Sequence, residues 1–232
     1  MDSTAELLAL PSGPAQVQWR RSARARRVSL RIDPRRGAVV VTLPLRAGRR
    51  AGMALLMDHA DWVAERLAAL PSAVAFADGA EVPLNGVPCR IRHAPDARGG
   101  AWLEDRTILV AGAPEFLPRR VADFLRSEAR RRLAALVAAK TAQAALASKR
   151  VAVKDTRSRW GSCSPDGSLA FSWRLVMAPE AVIDYVVAHE VAHLVEMNHG
   201  PRFWRLVRDL VGDPTSQRAW LKRHRNRLFA YG

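Results

Sequence analysis

The run from Tyr185 to Leu194 places three polar residues in an otherwise apolar stretch, and it constrains the fold more than any other segment. The three are His189, Glu190 and His193, and a chain that buries them must give them partners. Residues four apart lie about 40° apart around a helix, so both imidazoles face one side and can bind one zinc ion at about 2.0 to 2.1 Å. Glu190 is then placed to take a proton from water on that ion. A pair of core histidines bonded to neighbouring groups is the alternative.

A catalytic zinc site commonly has three protein ligands, so a third donor is needed. His199 is the best candidate, although a continued helix would carry it away from the other two imidazoles. We therefore expect the helix to stop, with Asn198 in a left-handed conformation and Gly200-Pro201 starting a new helix. Glu196 lies on the same helix face and is expected to orient a ligand, or else to replace His199 as third donor, with a solvated charge near the helix end as the alternative. The alternative for His199 is a surface loop residue.

Length and composition are those of an ordinary globular protein. The chain has 232 residues, 49% hydrophobic and 25% charged, which excludes disordered and collagen-like architectures. Its two cysteines, Cys89 and Cys163, are too few for a disulfide framework or a thiolate metal site. The first residues are acidic where a secretory signal carries positive charge, and no window approaches the roughly 18 apolar residues of a membrane span. We expect a cytoplasmic protein that has no contact with a membrane.

Charge suggests a second kind of partner. The chain has 37 Lys and Arg against 22 Asp and Glu, a net charge of +15. A positive field of this size attracts nucleic acid or acidic membrane surfaces. The basic residues are nevertheless scattered along the whole chain, and a compositional bias towards arginine accounts for them as readily as a binding surface does. Nucleic acid is therefore a candidate partner beside a protein or peptide.

Hydrophobic periodicity predicts an α+β chain. The expected elements are a β-hairpin over 26–45, a helix over 47–70, strands over 80–93 and 102–110, a long helix over 114–147, strands over 150–154 and 168–174, and helices over 179–197, 201–211 and 214–229. This pattern divides into a β-rich α+β N-terminal unit at residues 1–112 and a second domain at residues 113–232.

Four segments of the second half form a recognisable set. They are Arg157 to Ser164 (RSRWGSCS), Phe171 to Leu175 (FSWRL), Tyr185 to Leu194 (YVVAHEVAHL), and Met197 to Trp204, which contains the sequences Met-Asn-His and Phe-Trp. This set closely resembles the YgjP-like family of zinc metallopeptidases, relatives of the SprT-like zincins. The resemblance implies a zincin-like domain in which His189, His193 and His199 bind zinc and Glu190 is the catalytic base. Glu196 stands where the metzincin pattern has glycine, which argues against a metzincin proper.

The leading functional prediction is a zinc-dependent metalloendopeptidase that hydrolyses peptide bonds with water activated by Glu190. The first competing prediction is a basic, nucleic-acid-associated module with a structural zinc site. The second is a protease that acts on proteins bound to nucleic acid, which the SprT-like resemblance permits.

Other residues are candidates for supporting this chemistry. The strand over 169–173 is a candidate for binding an extended peptide by strand addition, with a plain core strand as the alternative. Tyr185, Arg157 and Arg174 are candidates for stabilising an oxyanion. The candidate supporting or substrate-binding residues are Glu196, Asn198, Trp173 and Tyr185.

Overall fold

The computed structural model describes residues 3–33, 36–70, 74–156 and 158–232. Its contacts divide the chain into two compact units, Met1–Ala73 and Val74–Gly232. Three small sheets and six α-helices occupy the described residues, which confirms the expected mixture of helices and strands. Within these segments no helix is long and apolar enough to cross a membrane.

The first unit is a four-stranded sheet with two helices. Its elements are β1 (Ser3–Leu10), β2 (Gly13–Ser22), β3 (Ser29–Asp33), β4 (Ala38–Pro44), α1 (Arg49–Asp58) and α2 (Ala60–Ala68), and the strand order is β1-β2-β4-β3. The predicted hairpin corresponds to β3 and β4. The sequence predicts neither β1 nor β2, and the single helix expected over 47–70 is interrupted at His59. Alternate side chains of β2 and β4, such as Val17 and Val41, are buried against Leu56 of α1.

The second unit begins with another four-stranded sheet, packed against a long helix. Its elements are β5 (Glu81–Leu84), β6 (Val87–Ala94), β7 (Ala101–Glu104), β8 (Thr107–Ala111) and α3 (Leu117–Gln143), and the strand order is β5-β6-β8-β7. Two hairpins turn at Asn85-Gly86 and Asp105-Arg106, where all four residues have positive φ, as type I′ turns require. Ile108 of β8 shares one core with Leu125 of α3. Contacts therefore divide the chain before this sheet, and not after residue 112 as the sequence pattern predicts.

A three-stranded sheet and three helices complete the second unit. They are β9 (Arg150–Lys154), β10 (Gly161–Cys163), β11 (Ser168–Ser172), α4 (Glu180–Ala192), α5 (Pro201–Val211) and α6 (Thr215–Phe229). The strand order is β10-β11-β9, so β11 is central and β10 lies at an edge. Buried residues occur on every side of α4, which makes it the central helix of this unit. The helix expected over 179–197 ends at Ala192, five residues early.

A buried arginine holds the last two residues of the chain. The guanidinium of Arg174 donates from Nε to the carbonyl of Tyr231 and from Nη2 to that of Gly232, both at 3.0 Å. Its Nη1 pairs with Asp155, and the indole of Trp173 lies against it, 4.4 Å from guanidinium carbon to ring centroid. Because a buried guanidinium must have its donors satisfied, these contacts give Arg174 a role in holding the fold together.

Candidate active site

The last turn of α4 brings a buried carboxylate beside two histidines. Val187 and Val191, on the apolar sides of the helix, are fully buried and fix its position in the core. Glu190 is only 6% exposed, and it is one of the few charged residues buried in the described part of the chain. His189 precedes it, and His193 caps the helix with φ −68° and ψ −12°.

A tight turn after α4 returns the chain towards these side chains. Backbone hydrogen bonds from Glu196 to Ala192 (3.0 Å) and from Gly200 to Asn198 (2.8 Å) hold it, and α5 begins at Pro201. The predicted stop in the helix is therefore present. Asn198 does not have the left-handed conformation expected for it, since the described non-glycine residues with positive φ lie elsewhere. The turn closes through main-chain bonds instead.

The turn places His199 beside the two helical histidines. One ring nitrogen from each of His189, His193 and His199 lies within 4.8 Å of the other two. The ring centroids are 4.7 to 5.1 Å apart. Nε2 of His189 and Nε2 of His199 are 3.2 Å apart. Three donors therefore converge on one point, as the sequence spacing predicts.

The donor set fits a zinc ion. Two nitrogens bound tetrahedrally to zinc at about 2.05 Å are about 3.3 Å apart, which is close to the observed separation of 3.2 Å. Zinc also favours imidazole ligands, and three protein ligands with one open position are typical of catalytic zinc sites.

Neighbouring groups orient the imidazoles. Nδ1 of His193 donates to the main-chain carbonyl of Glu196 at 2.9 Å, which leaves its Nε2 available to bind a metal. The hydroxyl of Tyr185 lies 3.5 Å from Nδ1 of His189. The ring of Phe203 packs against all three imidazoles, with centroid separations of 4.5 to 4.9 Å. These contacts restrict the rings to orientations that keep the donors together.

The electrostatics favour neutral imidazoles. Burial lowers the pKa of His189 to about 3, with further lowering by the imidazoles of His193 and His199 and by Arg218. Burial also lowers the pKa of His193, which the carbonyl of Glu196 partly offsets. Neutral imidazole is the form that binds a metal, so the lowered pKa values of His189 and His193 favour metal binding.

Gly161 approaches Glu190 more closely than any other residue type could. A Cβ atom at this position would lie 2.5 Å from both Cγ and Oε1 of Glu190. Burial raises the pKa of Glu190 to about 7, against an opposing contribution from the positive charge of Arg159. The sequence predicts no role at the site for Gly161 or Arg159, although a glycine in a strand can signal a close backbone approach.

A small cavity opens beside the carboxylate and one imidazole. Its volume is about 180 Å³. The residues that line it are Trp160, Gly161, Tyr185, Val186, His189, Glu190 and Leu221. Most of these are apolar, so the cavity can enclose an apolar side chain next to Glu190.

The structure places the four candidate supporting residues in different surroundings. Tyr185 lines the cavity. Glu196 contacts the cluster through its main-chain carbonyl, and Asn198 is exposed in the turn. Trp173 is a core residue whose indole nitrogen donates to Asp155 at 3.2 Å, and it is not among the cavity residues.

The remaining sequence predictions concern the oxyanion and strand addition. Of the oxyanion candidates, Tyr185 lies at the site, Arg174 is occupied elsewhere, and Arg157 lies outside the described residues. The prediction that strand 169–173 binds a peptide is wrong, because β11 pairs on both sides. Of the two strands paired with it, β10 is the one that contributes Gly161 to the cavity.

A helix with two histidines four residues apart, a third convergent imidazole and an adjacent buried carboxylate defines the class of candidate metallohydrolases. The model of the YgjP-like metallopeptidase domain matches residues 26–224. The chain therefore belongs to the YgjP-like metallopeptidase family, which confirms the resemblance seen in its sequence, and its substrates are proteins or peptides.

Comparisons with curated proteins and with solved structures add no assignment of function. No curated protein matches the chain. Among solved structures, the metallopeptidase zymogen of Pyrococcus abyssi abylysin is similar, with 16% identity and a TM-score of 0.37 over 40% of this chain and 95% of that one.

Gly161→Ala should impair hydrolysis without removing metal. The added methyl group overlaps the Glu190 carboxylate, and a shift of about 1 Å in a catalytic group can reduce the rate about 10²-fold. We expect kcat for a peptide substrate to fall about 10- to 100-fold. The matched control is Gly100→Ala, where a Cβ meets nothing within 4 Å. Equal kcat values for the two variants would show that the close approach is unimportant.

Proposed function

We propose that the chain is a zinc-dependent metalloendopeptidase of zincin-like layout. In this proposal His189, His193 and His199 hold zinc, and Glu190 is the general base. The observation that carries it is the convergence of three imidazole nitrogens within 4.8 Å beside a buried carboxylate, in a member of a metallopeptidase family. A zinc site formed by two histidines of one helix and a third from the following turn is consistent with this class.

The proposed mechanism needs no covalent intermediate on the protein. Zinc, when bound, supplies Lewis acidity, which lowers the pKa of a water molecule and polarises the scissile carbonyl. Glu190 accepts the proton of the attacking water and can pass it to the nitrogen of the leaving amine. The close contact with Gly161 holds the carboxylate in place for both transfers. The carbonyl of Glu196 fixes the proton of His193 on Nδ1.

The edge of β10 offers a place for an extended peptide. A peptide that adds to an exposed strand forms main-chain hydrogen bonds and presents alternate side chains to its two faces. Addition beside Gly161 would bring the peptide next to Glu190, since the two are in contact. The cavity of about 180 Å³ could then receive one apolar side chain of the substrate.

Metal analysis tests this proposal. We expect about one zinc ion per purified chain by elemental mass spectrometry. A strong chelator should abolish hydrolysis of an unfolded protein such as casein, and added zinc should restore it. Unchanged hydrolysis by metal-free protein would contradict the proposal, as would zinc-loaded protein that cleaves no peptide bond.

A further inference from the structure

The outer face of the three-stranded sheet forms a groove of about 600 Å³, which we call the basic groove. Its cations are Arg150 and Lys154 of β9 and Arg159, which precedes β10. Its floor contains Ser162, Ala170 and Ala152, a row of small residues that pair across the three strands. Small floor residues leave room for side chains of another molecule.

The positive charge of this groove is not neutralised locally. Among the described residues, no acidic side chain lines it, and its three cations form no ion pair. Nearby Asp166 is already occupied, because it pairs with Lys149 at 3.5 Å and accepts a hydrogen bond from Ser164 at 2.6 Å.

A second large cavity of the same unit shows that the unneutralised positive charge of the groove is not simply an effect of the basic composition of the chain. That cavity, about 650 Å³ between β7 and α3, is lined by Arg120 together with Asp123 and Glu128. Its acidic residues outnumber its single cation. The uncompensated charge is therefore a local property of the basic groove.

The basic groove adjoins the candidate active site through β10. Gly161 lines the cavity beside Glu190, and the next residue, Ser162, lines the groove. Successive side chains of a strand point to opposite faces of the sheet, so β10 separates the two sites by a single residue step. Arg159 of the groove stands two residues before Gly161, whose backbone lies against Glu190, so one cation of the groove is close along the chain to the residue beside the carboxylate.

We propose that the basic groove binds acidic side chains of the substrate, so that the enzyme prefers extended segments in which Asp or Glu residues lie within a few positions of an apolar residue. This inference rests on the proposed function. A peptide that directs one apolar side chain into the cavity can cross β10 and continue over the groove floor. Carboxylates next to that side chain can then pair with Arg159, and carboxylates about three residues further along can reach Arg150 and Lys154 of β9, two strands beyond β10.

Two fluorogenic peptides test the preference. They share one central apolar residue and differ only in the three residues on each side of it, which are Glu in one peptide and Gln in the other. We expect kcat/KM to be about tenfold higher for the Glu peptide, and this ratio to fall to about one in the double variant Arg150→Gln, Lys154→Gln. The matched control Arg130→Gln removes an exposed charge from α3 and should keep the ratio. A ratio near one in the wild-type enzyme would overturn the inference.

A binding measurement separates this inference from the proposed function. Fluorescein-labelled Glu peptide should bind zinc-loaded Glu190→Gln protein, and its Kd should weaken about tenfold when Arg150 and Lys154 are also replaced. Raising the salt from about 0.05 to 0.5 M should weaken binding in the parent variant more than in the triple variant. If binding follows this pattern while the wild-type protein cleaves no peptide, the inference that the groove binds acidic peptides is supported and the peptidase proposal fails.

A single-stranded oligonucleotide tests the other candidate partner. If it displaces the peptide and binds more tightly through Arg150 and Lys154, the acidic-peptide inference is overturned in favour of nucleic acid.

Discussion

Replacing Glu190 with glutamine should lower kcat for peptide hydrolysis by about 10²- to 10⁴-fold while zinc remains bound. Glutamine has nearly the same shape as glutamate, so it can occupy the space beside Gly161. Its amide cannot accept a proton from water, and the general-base contribution is therefore lost. The measurement is steady-state hydrolysis of one peptide, with zinc content determined on the same preparations.

Another glutamate on the same helix provides the control. Glu180 lies in the first turn of α4, with a side chain that is 72% exposed and an ion pair of 3.5 Å to Arg132. Glu180→Gln should keep kcat within about twofold of wild type, since an exposed ion pair contributes little. Full activity of zinc-loaded Glu190→Gln would show that this carboxylate is not the general base.

Replacing His193 with alanine should remove the metal. Two of the three converging donors remain, and a site with two imidazoles has lost the ligand that Glu196 holds in place. We expect zinc content after dialysis to fall from about one per chain to about zero. Added zinc should raise the Tm of metal-free wild-type protein but leave that of the variant unchanged, because a ligand stabilises only the state that binds it.

A histidine outside the cluster shows whether the effect is specific. His224 of α6 stacks on Trp220 at 4.2 Å, and its Nδ1 donates to the carbonyl of the same residue at 2.9 Å. His224→Ala should therefore keep about one zinc per chain. If His193→Ala retained a full zinc ion as well, the three converging imidazoles would not be its ligands.

The cluster of imidazoles could be predicted because helical geometry and chain breakers are local. The spacing of His189 and His193 places both on one side of α4, and Pro201 after a short turn favours the start of a new helix, which leaves His199 in the turn between the two helices. The way the turn closes was not predictable in the same manner. Asn198 does not take the left-handed conformation, and Glu196 contributes its carbonyl. Main-chain groups carry no residue-specific signal, so patterns of residue type miss them.

The unit boundary and the pairing of the strands could not be predicted from the sequence, for a different reason. The sheet of β5 to β8 looks in sequence like a continuation of the earlier strands, yet its apolar face is covered by α3. The three residues of β10 are too few to show a period of two, and β11 is central only because β10 pairs with it. Trp173, which stands next to this strand, is consequently a core residue.

By itself, the sequence determined the metallopeptidase family and the donor set of the candidate site: two imidazoles and a carboxylate at helical spacing, and a third imidazole after a helix stop. The donor set depends on residues that are close along the chain, where the regular rise and turn of a helix set their positions. Only the tertiary structure decided that Gly161 lies against Glu190 and that Arg150, Lys154 and Arg159 share one groove. Those neighbours come from segments separated along the chain, and their approach follows from how sheet and helix pack around a common core.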